Sequence, residues 1–316
     1  MAEHGRRGKS RCKTGIRDFS EKCGIASLTG ALSRRVMSET MPDLPANAAL
    51  SRREMLRHSA GQLLALGLWP GALRAEGRAD ASEFTFIVVN DLHYQSERCG
   101  AWFERVVRQM KAIEPKPALC LILGDYSEHG SPKEIGAAKD AFAGLGMPTF
   151  GVIGNHDYTE GDDRSAYEKL FPKTLNYVRE QHGWQFVALD TTQGRRATGT
   201  TINASTLAWL DEKLPALNKT KPTVILTHFP LGLLTPGRPK NADELLIRFK
   251  NHNLQAVFNG HFHGFTERFF GRVVLTTSKC CAISRENHDG TKEKGYFLCT
   301  AKDGKMTRAF VEVPTA

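Results

Sequence analysis

The 316-residue chain lacks a long apolar segment, and its cysteines lack the spacing of a disulfide framework or a zinc site. Nothing approaches the roughly 20 consecutive apolar residues of a permanent membrane span. The seven cysteines are odd in number and contain no C-x-x-C pair, which argues against a disulfide scaffold and a zinc knuckle. Repeats and low-complexity tracts are also absent from the sequence. These absences leave one large or two modest folded domains, and 41% hydrophobic residues suffice for a core.

Positive charge is concentrated near the beginning of the chain. Residues 1–80 hold 14 Lys and Arg against 8 Asp and Glu, whereas the remainder holds 29 against 26. The net charge of +9 therefore belongs mostly to the first quarter of the sequence. The body shows neither a basic stripe nor an alternation of aromatic and basic side chains, so no nucleic-acid partner is expected.

Residues 1–81 are interpreted as a leader with a twin-arginine export signal. Ser51-Arg52-Arg53-Glu54-Met55-Leu56-Arg57 resembles the twin-arginine pattern, a weakly apolar run over residues 61–69 follows, and Ala79-Asp80-Ala81 has the A-x-A form of a cleavage site. An amphipathic first helix that begins with two arginines is the alternative. The signal predicts a periplasmic or otherwise extracytoplasmic protein that uses the twin-arginine export machinery and has no permanent membrane anchor.

Two further expectations concern the domain boundaries. A signal of this kind lies near an N-terminus, so translation is expected to begin at Met37 or Met41. Residues 82–316 are then predicted to form the folded domain, in which apolar runs alternate with amphipathic stretches before a strand-rich C-terminal part. This order predicts an α/β (α+β) fold, a four-layer α/β/β/α sandwich of two mixed sheets flanked by helices. Asn241 is expected to cap a helix over residues 242–250.

Five short polar clusters each lie directly behind an apolar run. They are Asp91-Leu92-His93, Gly124-Asp125, Gly154-Asn155-His156-Asp157, Thr227-His228 and Gly260-His261-Phe262-His263. Ligands bind in open α/β sheets outside the carboxyl ends of the strands. Residues that are far apart in the sequence are therefore predicted to converge on one rim.

The side chains of these clusters suit a pair of metal ions. Carboxylate, amide and imidazole ligands without a thiolate favour manganese, iron or zinc. The two carboxylate oxygens of Asp125 can bridge two ions. Two ions about 3.5–4 Å apart can share a hydroxide and hold both oxygens of an in-line displacement at phosphorus. This chemistry requires no Ser or Cys nucleophile, and the sequence contains no convincing catalytic triad.

Taken in order, the five clusters resemble the motifs of the calcineurin-like metallophosphoesterase superfamily over roughly residues 83–288. The resemblance implies two sets of metal ligands that share one carboxylate. The first ligand set would be Asp91, His93, Asp125 and His263. The second ligand set would be Asp125, Asn155, His228 and His261.

One departure from the family's motifs indicates which branch of the superfamily the chain resembles. The resemblance also assigns catalytic residues. It implies that His156 neutralises the phosphoryl group and protonates the leaving oxygen, and that Asp157 orients His156. In the purple acid phosphatase branch a tyrosine ligand lies three positions past the second aspartate, where this chain has Glu128. Tyr126 directly follows Asp125 and is expected to point elsewhere. The pattern is closer to the bacterial cyclic-nucleotide phosphodiesterase-like branch.

The leading hypothesis is an exported, metal-dependent enzyme that hydrolyses small phosphomonoesters or phosphodiesters. A nuclease or a phospholipid-directed phosphoesterase would use the same chemistry. A non-catalytic binding module is the alternative from a different class, although every ligand position is present here. Specificity is expected from loops over the rim. There Arg195, Arg196 and Arg238 would bind a second phosphate or remain solvated charges, and His288 is a further candidate for the rim.

Overall fold

The computed structural model describes residues 83–315. The leader, its twin-arginine segment, the boundary at residue 81 and the two candidate start methionines lie outside the described residues. The strands are β1 (Phe84–Val89), β2 (Cys120–Ile122), β3 (Thr149–Gly151), β4 (Tyr177–Gln181), β5 (Trp184–Leu189), β6 (Thr223–Thr227), β7 (Leu254–Asn259), β8 (Thr266–Phe270), β9 (Val273–Thr277), β10 (Lys294–Lys302) and β11 (Lys305–Val313). The α-helices are α1 (Glu97–Lys111), α2 (Pro132–Ala143), α3 (Ser165–Leu170), α4 (Ala204–Lys213) and α5 (Ala242–Arg248). In this part of the chain, no helix has the length and apolar character needed to cross a membrane.

The strands form two mixed sheets, as the sequence predicts. One sheet has the order β11-β10-β1-β2-β3, and the other has the order β4-β5-β6-β7-β9-β8. Parallel pairing joins β1 to β2 and β2 to β3 in the first sheet. It also joins β5, β6, β7 and β9 in the second. The carboxyl ends of the parallel strands therefore lie at one edge of each sheet.

Three hydrophobic layers hold the sandwich together, and β1 shows how one strand serves two of them. Phe86 and Val88 belong to the core between the sheets, whereas Ile87 and Val89 belong to the core under α1 and α2. This alternation follows from the two-residue period of a strand. A third core lies between the second sheet and the helices α4 and α5. The order of layers is helix, sheet, sheet, helix, which confirms the predicted architecture.

Four details of the fold differ from the sequence prediction. Strand β4 and helix α3 were not expected. Asn241 occupies the N-cap position, as predicted, but its side chain makes no capping hydrogen bond. Its side-chain amide instead accepts a hydrogen bond from Ile202 N at 2.8 Å and donates to Ile202 O at 3.1 Å. The amide therefore joins the loop before α4 to the start of α5. That helix also ends at Arg248, two residues before the predicted end.

Candidate metal centre

All five polar clusters lie just beyond the carboxyl ends of parallel strands, on the rim that the two sheets share. The first sheet supplies side chains after β1, β2 and β3, and the second supplies them after β6 and β7. Contacts join the two sheets directly at this rim. The backbone N–H of His261, after β7, donates to Asp91 Oδ1 at 2.9 Å, and His228 Nδ1 lies 2.8 Å from Leu123 O.

The backbone at these strand ends adopts a left-handed conformation, which residues other than glycine rarely adopt. Five residues of the two ligand sets have φ between 46° and 67°: Asp91, His93, Asp125, His261 and His263. A left-handed residue costs free energy and persists where the surrounding structure enforces it. The sharp bend explains how residues two apart, which would lie about 6–7 Å apart along a straight strand, face one centre. Close packing is required as well, because a Cβ on Gly154 would lie 2.1 Å from Asp125 Oδ1.

The first ligand set forms a compact buried cluster. One ligand atom from each of its four residues lies within 4.8 Å of the others. Nε2 of His93 is 3.1 Å from Nε2 of His263 and 3.4 Å from Asp125 Oδ2. Nε2 of His263 is also 3.5 Å from Asp91 Oδ1. Two carboxylates and two imidazoles thus point at one centre.

The second ligand set converges on the amide oxygen of Asn155. This oxygen lies 3.0 Å from His228 Nε2 and 3.0 Å from His261 Nδ1. His228 Nε2 is also 3.4 Å from Asp125 Oδ1, so the carboxylate of Asp125 contacts both ligand sets. The structure brings together all seven residues that the resemblance assigns to metal binding.

Backbone carbonyls determine where the protons of the second ligand set lie. Leu123 O accepts a hydrogen bond from His228 Nδ1 at 2.8 Å, and Ala197 O accepts one from His261 Nε2 at 2.8 Å. In a neutral imidazole the other nitrogen is then an unprotonated acceptor. Burial, together with the nearby His228, lowers the pKa of His261 to about 4, so this ring is neutral at neutral pH.

This arrangement tests whether a metal ion fits. A lone pair of the neutral His261 ring faces the lone pairs of the Asn155 oxygen, with the Asp125 carboxylate and His228 Nε2 beside them. Acceptors that face one another without a proton repel, and a cation between them removes the repulsion. A buried set of nitrogen and oxygen ligands is the type that divalent transition metals bind. The residues present therefore fit the predicted cofactor.

The two aspartates are held in their charged form. Burial alone would raise the pKa of Asp91, but the facing imidazoles, His263 foremost, lower it below its usual value. The same contact acts on the partner: burial lowers the pKa of His263, and Asp91 raises it to about 11. Burial also opposes ionisation of Asp125, and His228 and His93 nevertheless lower its pKa. Both carboxylates are therefore available as ligands.

His156 lies on the accessible side of the cluster, in the 3₁₀ turn Asn155–Asp157. Its side chain is 22% exposed. Its backbone N–H donates to Asp125 Oδ1 at 2.8 Å, and its Nδ1 lies 2.9 Å from the backbone oxygen of Glu128. The ring packs edge-on against His93, with centroids 4.7 Å apart. The predicted catalytic histidine is thus adjacent to the metal ligands and open to the rim.

The expected contact between Asp157 and the ring of His156 is not the one observed. The Asp157 carboxylate accepts hydrogen bonds from Ser127 N at 3.0 Å, Ser127 Oγ at 3.1 Å and Gly154 N at 2.9 Å. Burial, with a contribution from Asp125, raises its pKa to about 7. Asp157 therefore fixes the loop that carries His156, and the ring itself rests on Glu128. The 3₁₀ turn directs the two neighbouring side chains apart.

Most of the arginines that were expected to bind a second phosphate instead form hydrogen bonds within the protein. Arg195 donates to the backbone oxygens of Tyr158 at 2.8 Å and Thr159 at 3.0 Å. Arg238 donates to Leu231 O at 2.9 Å and to a carboxylate oxygen of Asp243. These two arginines hold loops in place, whereas Arg196 is exposed.

Three other side chains near the centre have defined positions. His288 stacks on His263, with ring centroids 4.9 Å apart, so it does reach the rim. Tyr126 is buried against Phe171 on the helix side of the first sheet, which raises its pKa well above the usual value. Tyr126 thus points away from the centre, as the sequence predicts. Sequence reasoning missed the part played by Glu128, whose carboxylate lies 3.0 Å from His93 Nδ1.

Comparison with known proteins agrees with this geometry. The calcineurin-like phosphoesterase family matches residues 84–265. The chain belongs to this family. It is 31% identical over 222 residues to a Synechococcus protein named "Probable cyclic nucleotide phosphodiesterase", a match that covers 66% of this chain and 84% of the relative. It is 23% identical over 213 residues to a glycerophosphodiester phosphodiesterase of Enterobacter lignolyticus, covering 60% of this chain and 74% of the relative.

A solved structure shares the fold. The purple acid phosphatase from yellow lupin seeds superposes with a TM-score of 0.53 at 12% sequence identity, covering 73% of this chain and 52% of the plant enzyme. The family match and the relatives named as phosphodiesterases show that the protein is a metallophosphoesterase, a hydrolase of phosphoric esters with a buried Asp and His cluster for metal binding.

Proposed function

We propose that this metallophosphoesterase hydrolyses small phosphodiesters outside the cytoplasm, using two transition-metal ions. The observation that carries the proposal is the convergence of seven nitrogen- and oxygen-bearing side chains around the shared carboxylate of Asp125, with His156 beside them. The first and second ligand sets would each hold one ion, manganese, iron or zinc. When bound, such ions supply Lewis-acid polarisation of the phosphoryl oxygens and neutralise their charge.

The chain's own groups then orient the substrate and move a proton. Nδ1 of His156 is held by the backbone oxygen of Glu128, which leaves Nε2 as the nitrogen that can reach the leaving oxygen. In its doubly protonated form, His156 would transfer the Nε2 proton to that oxygen as the ester bond breaks and would be left neutral, the role of a general acid. Asp157 holds the loop of His156 through Gly154 and Ser127, so the ring keeps its position at the rim.

The charge of the rim favours a diester over a monoester. A phosphodiester carries one negative charge at its phosphate, and a fully ionised monoester carries two. Arg195 and Arg238 are committed to backbone and carboxylate acceptors, and Arg285 pairs with Glu128. Few cationic side chains therefore remain to neutralise a second phosphate charge. The names of the two relatives, a cyclic nucleotide phosphodiesterase and a glycerophosphodiester phosphodiesterase, support the same choice.

The proposal is tested by comparing two artificial substrates. Protein stripped of metal with a chelator is reloaded with manganese, iron or zinc, and turnover of bis(4-nitrophenyl) phosphate and 4-nitrophenyl phosphate is measured. We expect metal-dependent hydrolysis with a higher kcat/KM for the diester. Cyclic nucleotides, glycerophosphodiesters, phospholipids and nucleic acids are then compared to identify the natural class. Faster monoester hydrolysis would reverse the preference, and no turnover with any metal would defeat the proposal.

Export is supported by the order of Arg52-Arg53, an apolar run and the A-x-A triplet. The test is cell fractionation of the full chain and of a variant in which Arg52 and Arg53 are both replaced by Lys. The expected result is a shift of the variant to the cytoplasm. Replacing Arg74 and Arg78, which lie after the apolar run, is the matched control and should leave localisation unchanged. Equal localisation of all three proteins would contradict export by this route.

A further inference from the structure

We propose that a cleft between the edge strands β8 and β11 is a second binding site, for a small, flat, largely apolar molecule that carries one acidic group. The cleft has a volume of about 550 Å³. Sites for small molecules typically have about 300–1,000 Å³. The lining includes three aromatic rings, a hydroxyl and two cations: Phe265, Phe297, Phe310, Ser278, Lys279 and Arg308. None of these residues belongs to either ligand set, so the cleft is separate from the metal centre.

The cleft lies where the two sheets end. Strand β8 is the last strand of the second sheet, and β11 is the last strand of the first. Glu267 on β8 pairs with Arg308 on β11 at 3.2 Å, so the two edge strands face each other across the sandwich. In the middle of the sandwich the facing positions are apolar, such as Phe86 and Val88 on β1. Charged side chains take their place at this end, and the sheets leave a cleft instead of a packed core.

Aromatic rings form the apolar part of the cleft. The ring of Phe297 lies edge-on to two neighbours, with its centroid 6.2 Å from that of Phe265 and 6.0 Å from that of Phe310. Rings arranged in this way offer both faces and edges to a further ring. Phe265 is 48% exposed although it is a large apolar residue. A flat apolar molecule would cover this exposed surface.

Two cations lie beside these rings and favour an acidic group. Lys279 Nζ is 5.1 Å from the centroid of Phe310, and Arg308 Cζ is 5.9 Å from that of Phe297. The carboxylate partners of Lys279 and Arg308, Glu293 and Glu267, are both more than two-fifths exposed, and exposed ion pairs are weak. An ammonium has three N–H donors and a guanidinium has five. Donors of both cations therefore remain for an acid inside the cleft.

Ser278 supplies an independent sign of a missing partner. It directly follows β9 and is only 2% exposed. Its hydroxyl has no hydrogen-bond partner among the residues that the structure describes. A buried polar group without a partner costs free energy and is uncommon in folded proteins. An acidic group beside Lys279 would accept a hydrogen bond from this hydroxyl, with the apolar body of the molecule against the phenylalanine rings.

The experiment measures binding of two probes that differ in charge. The probes are 2-naphthoate, a flat apolar body with one carboxylate, and 2-naphthamide, its uncharged analogue. The full chain is stripped of metal with a chelator, so that no metal ion can hold the carboxylate. Calorimetry should show one molecule of 2-naphthoate bound per chain, more tightly than 2-naphthamide. Failure of the wild-type protein to bind either probe would overturn the inference.

Three variants locate the bound probe. Met306 also lines the cleft, and Met306→Trp should abolish binding of both probes because the larger side chain fills the space. Ser278→Ala should weaken 2-naphthoate roughly 2–10-fold, the effect of one lost hydrogen bond. Ile247→Ser is the control, since Ile247 is an exposed apolar residue on α5 and should leave both affinities unchanged. Undiminished binding by a folded Met306→Trp variant, or loss of binding in Ile247→Ser, would place the probe elsewhere and contradict the proposal.

A pair of charge variants gives opposite signs, which damage to the fold cannot produce. Arg308→Gln should weaken binding of 2-naphthoate, whereas Glu267→Gln should strengthen it, because Arg308 then has no competing carboxylate. Each change should be roughly two- to fivefold, as expected for partly exposed charges, and 2-naphthamide should respond to neither. Equal affinities in both variants would overturn the inference even if Met306→Trp does not fold. No ester is hydrolysed in these measurements, so their outcome is independent of the proposed function.

Discussion

The two ligand sets share Asp125 but differ in charge and in what supports their rings. The first ligand set contains both Asp91 and Asp125, and its His93 ring is backed by a carboxylate. The second ligand set contains only the shared aspartate, and its two rings are backed by the backbone oxygens of Leu123 and Ala197. More negative charge favours a divalent cation more strongly. We infer that the first set binds its ion more tightly and that the second exchanges its ion more readily.

Removing the shared charge should erase the difference between the two sets. Asp125→Asn takes the only carboxylate from the second ligand set and one of two from the first. We expect loss of both ions and of turnover, by more than the roughly 100-fold that loss of an outer partner costs. Metal analysis of the purified variant, with turnover in the same sample, provides the check. Full metal content with full turnover would show that Asp125 is not the shared ligand.

The His156→Ala variant should keep metal ions bound at both ligand sets and should hydrolyse esters more slowly. The His156 ring lies beside the ligand sets and makes its polar contacts with Glu128, so its loss removes a proton donor and leaves every ligand present. Turnover is expected to fall roughly 10²–10⁴-fold, the range for a lost general acid. The matched control is His129→Ala, since that exposed histidine pairs with Glu134 instead. Wild-type turnover in His156→Ala would exclude the proposed role.

Exchanging the charges of the two ligand sets should reverse the order of their metal affinities. Asp91→Asn removes a charge from the first ligand set, and Asn155→Asp adds one to the second. One unit charge at contact distance near a protein surface is worth a few kcal/mol, so we expect shifts of roughly tenfold or more in opposite directions. Stepwise metal titration by calorimetry resolves the two binding events. If neither variant changes its binding step, charge is not the source of the difference.

The smallest expected effect is a pH dependence of the metal-free protein. The pKa of His261 is lowered from 6.5 to about 4, because burial disfavours its charged form. The unfolded ring takes up a proton first, so stability is lost as the pH falls from about 6.5 to about 4. The pKa of Glu128 is lowered from 4.5 to about 2. Its contribution to the stability of the folded protein is therefore lost only as the pH falls between those two values. The contribution of His261 should therefore be lost in milder acid than the contribution of Glu128.

Melting curves of the metal-free protein between pH 7 and 3 test this order. Each kcal/mol shifts the melting temperature of a domain of this size by roughly 2–4 °C. In a plot of melting temperature against pH, His261→Ala should reduce the slope between about pH 6.5 and 4. Glu128→Gln should reduce the slope below about pH 4.5. If both variants change the same window, the assignment of the two groups is incorrect.

The sequence predicts the sandwich and the convergence of the clusters well, because periodicity and strand ends are local signals. It missed strand β4, whose pattern Tyr-Val-Arg-Glu-Gln is mostly polar, since an edge strand has little buried surface to mark it. Helix α3 is only six residues long and leaves little periodicity to detect.

Side-chain partners were harder to predict than positions. Asp157 is adjacent to His156 in sequence, yet the 3₁₀ turn directs its carboxylate to Ser127 and Gly154. Glu128 stood out only as a departure from a tyrosine, and its contact with Arg285 spans 157 residues. Contacts of this range depend on how the loops meet over the rim. Local patterns in the sequence therefore do not encode them.

Strand β1 lies between two neighbouring strands that the ribosome synthesises at very different times. Its parallel partner β2 begins at Cys120, whereas its antiparallel partner β10 begins at Lys294. At roughly 5–20 residues per second, a ribosome takes on the order of ten seconds or more to travel from the end of β1 to β10. Until then the strand that precedes Asp91 and His93 has one open edge, and such edges pair readily with other chains. A product truncated before Lys294 would keep that edge permanently, so premature termination near the C-terminus should yield aggregates.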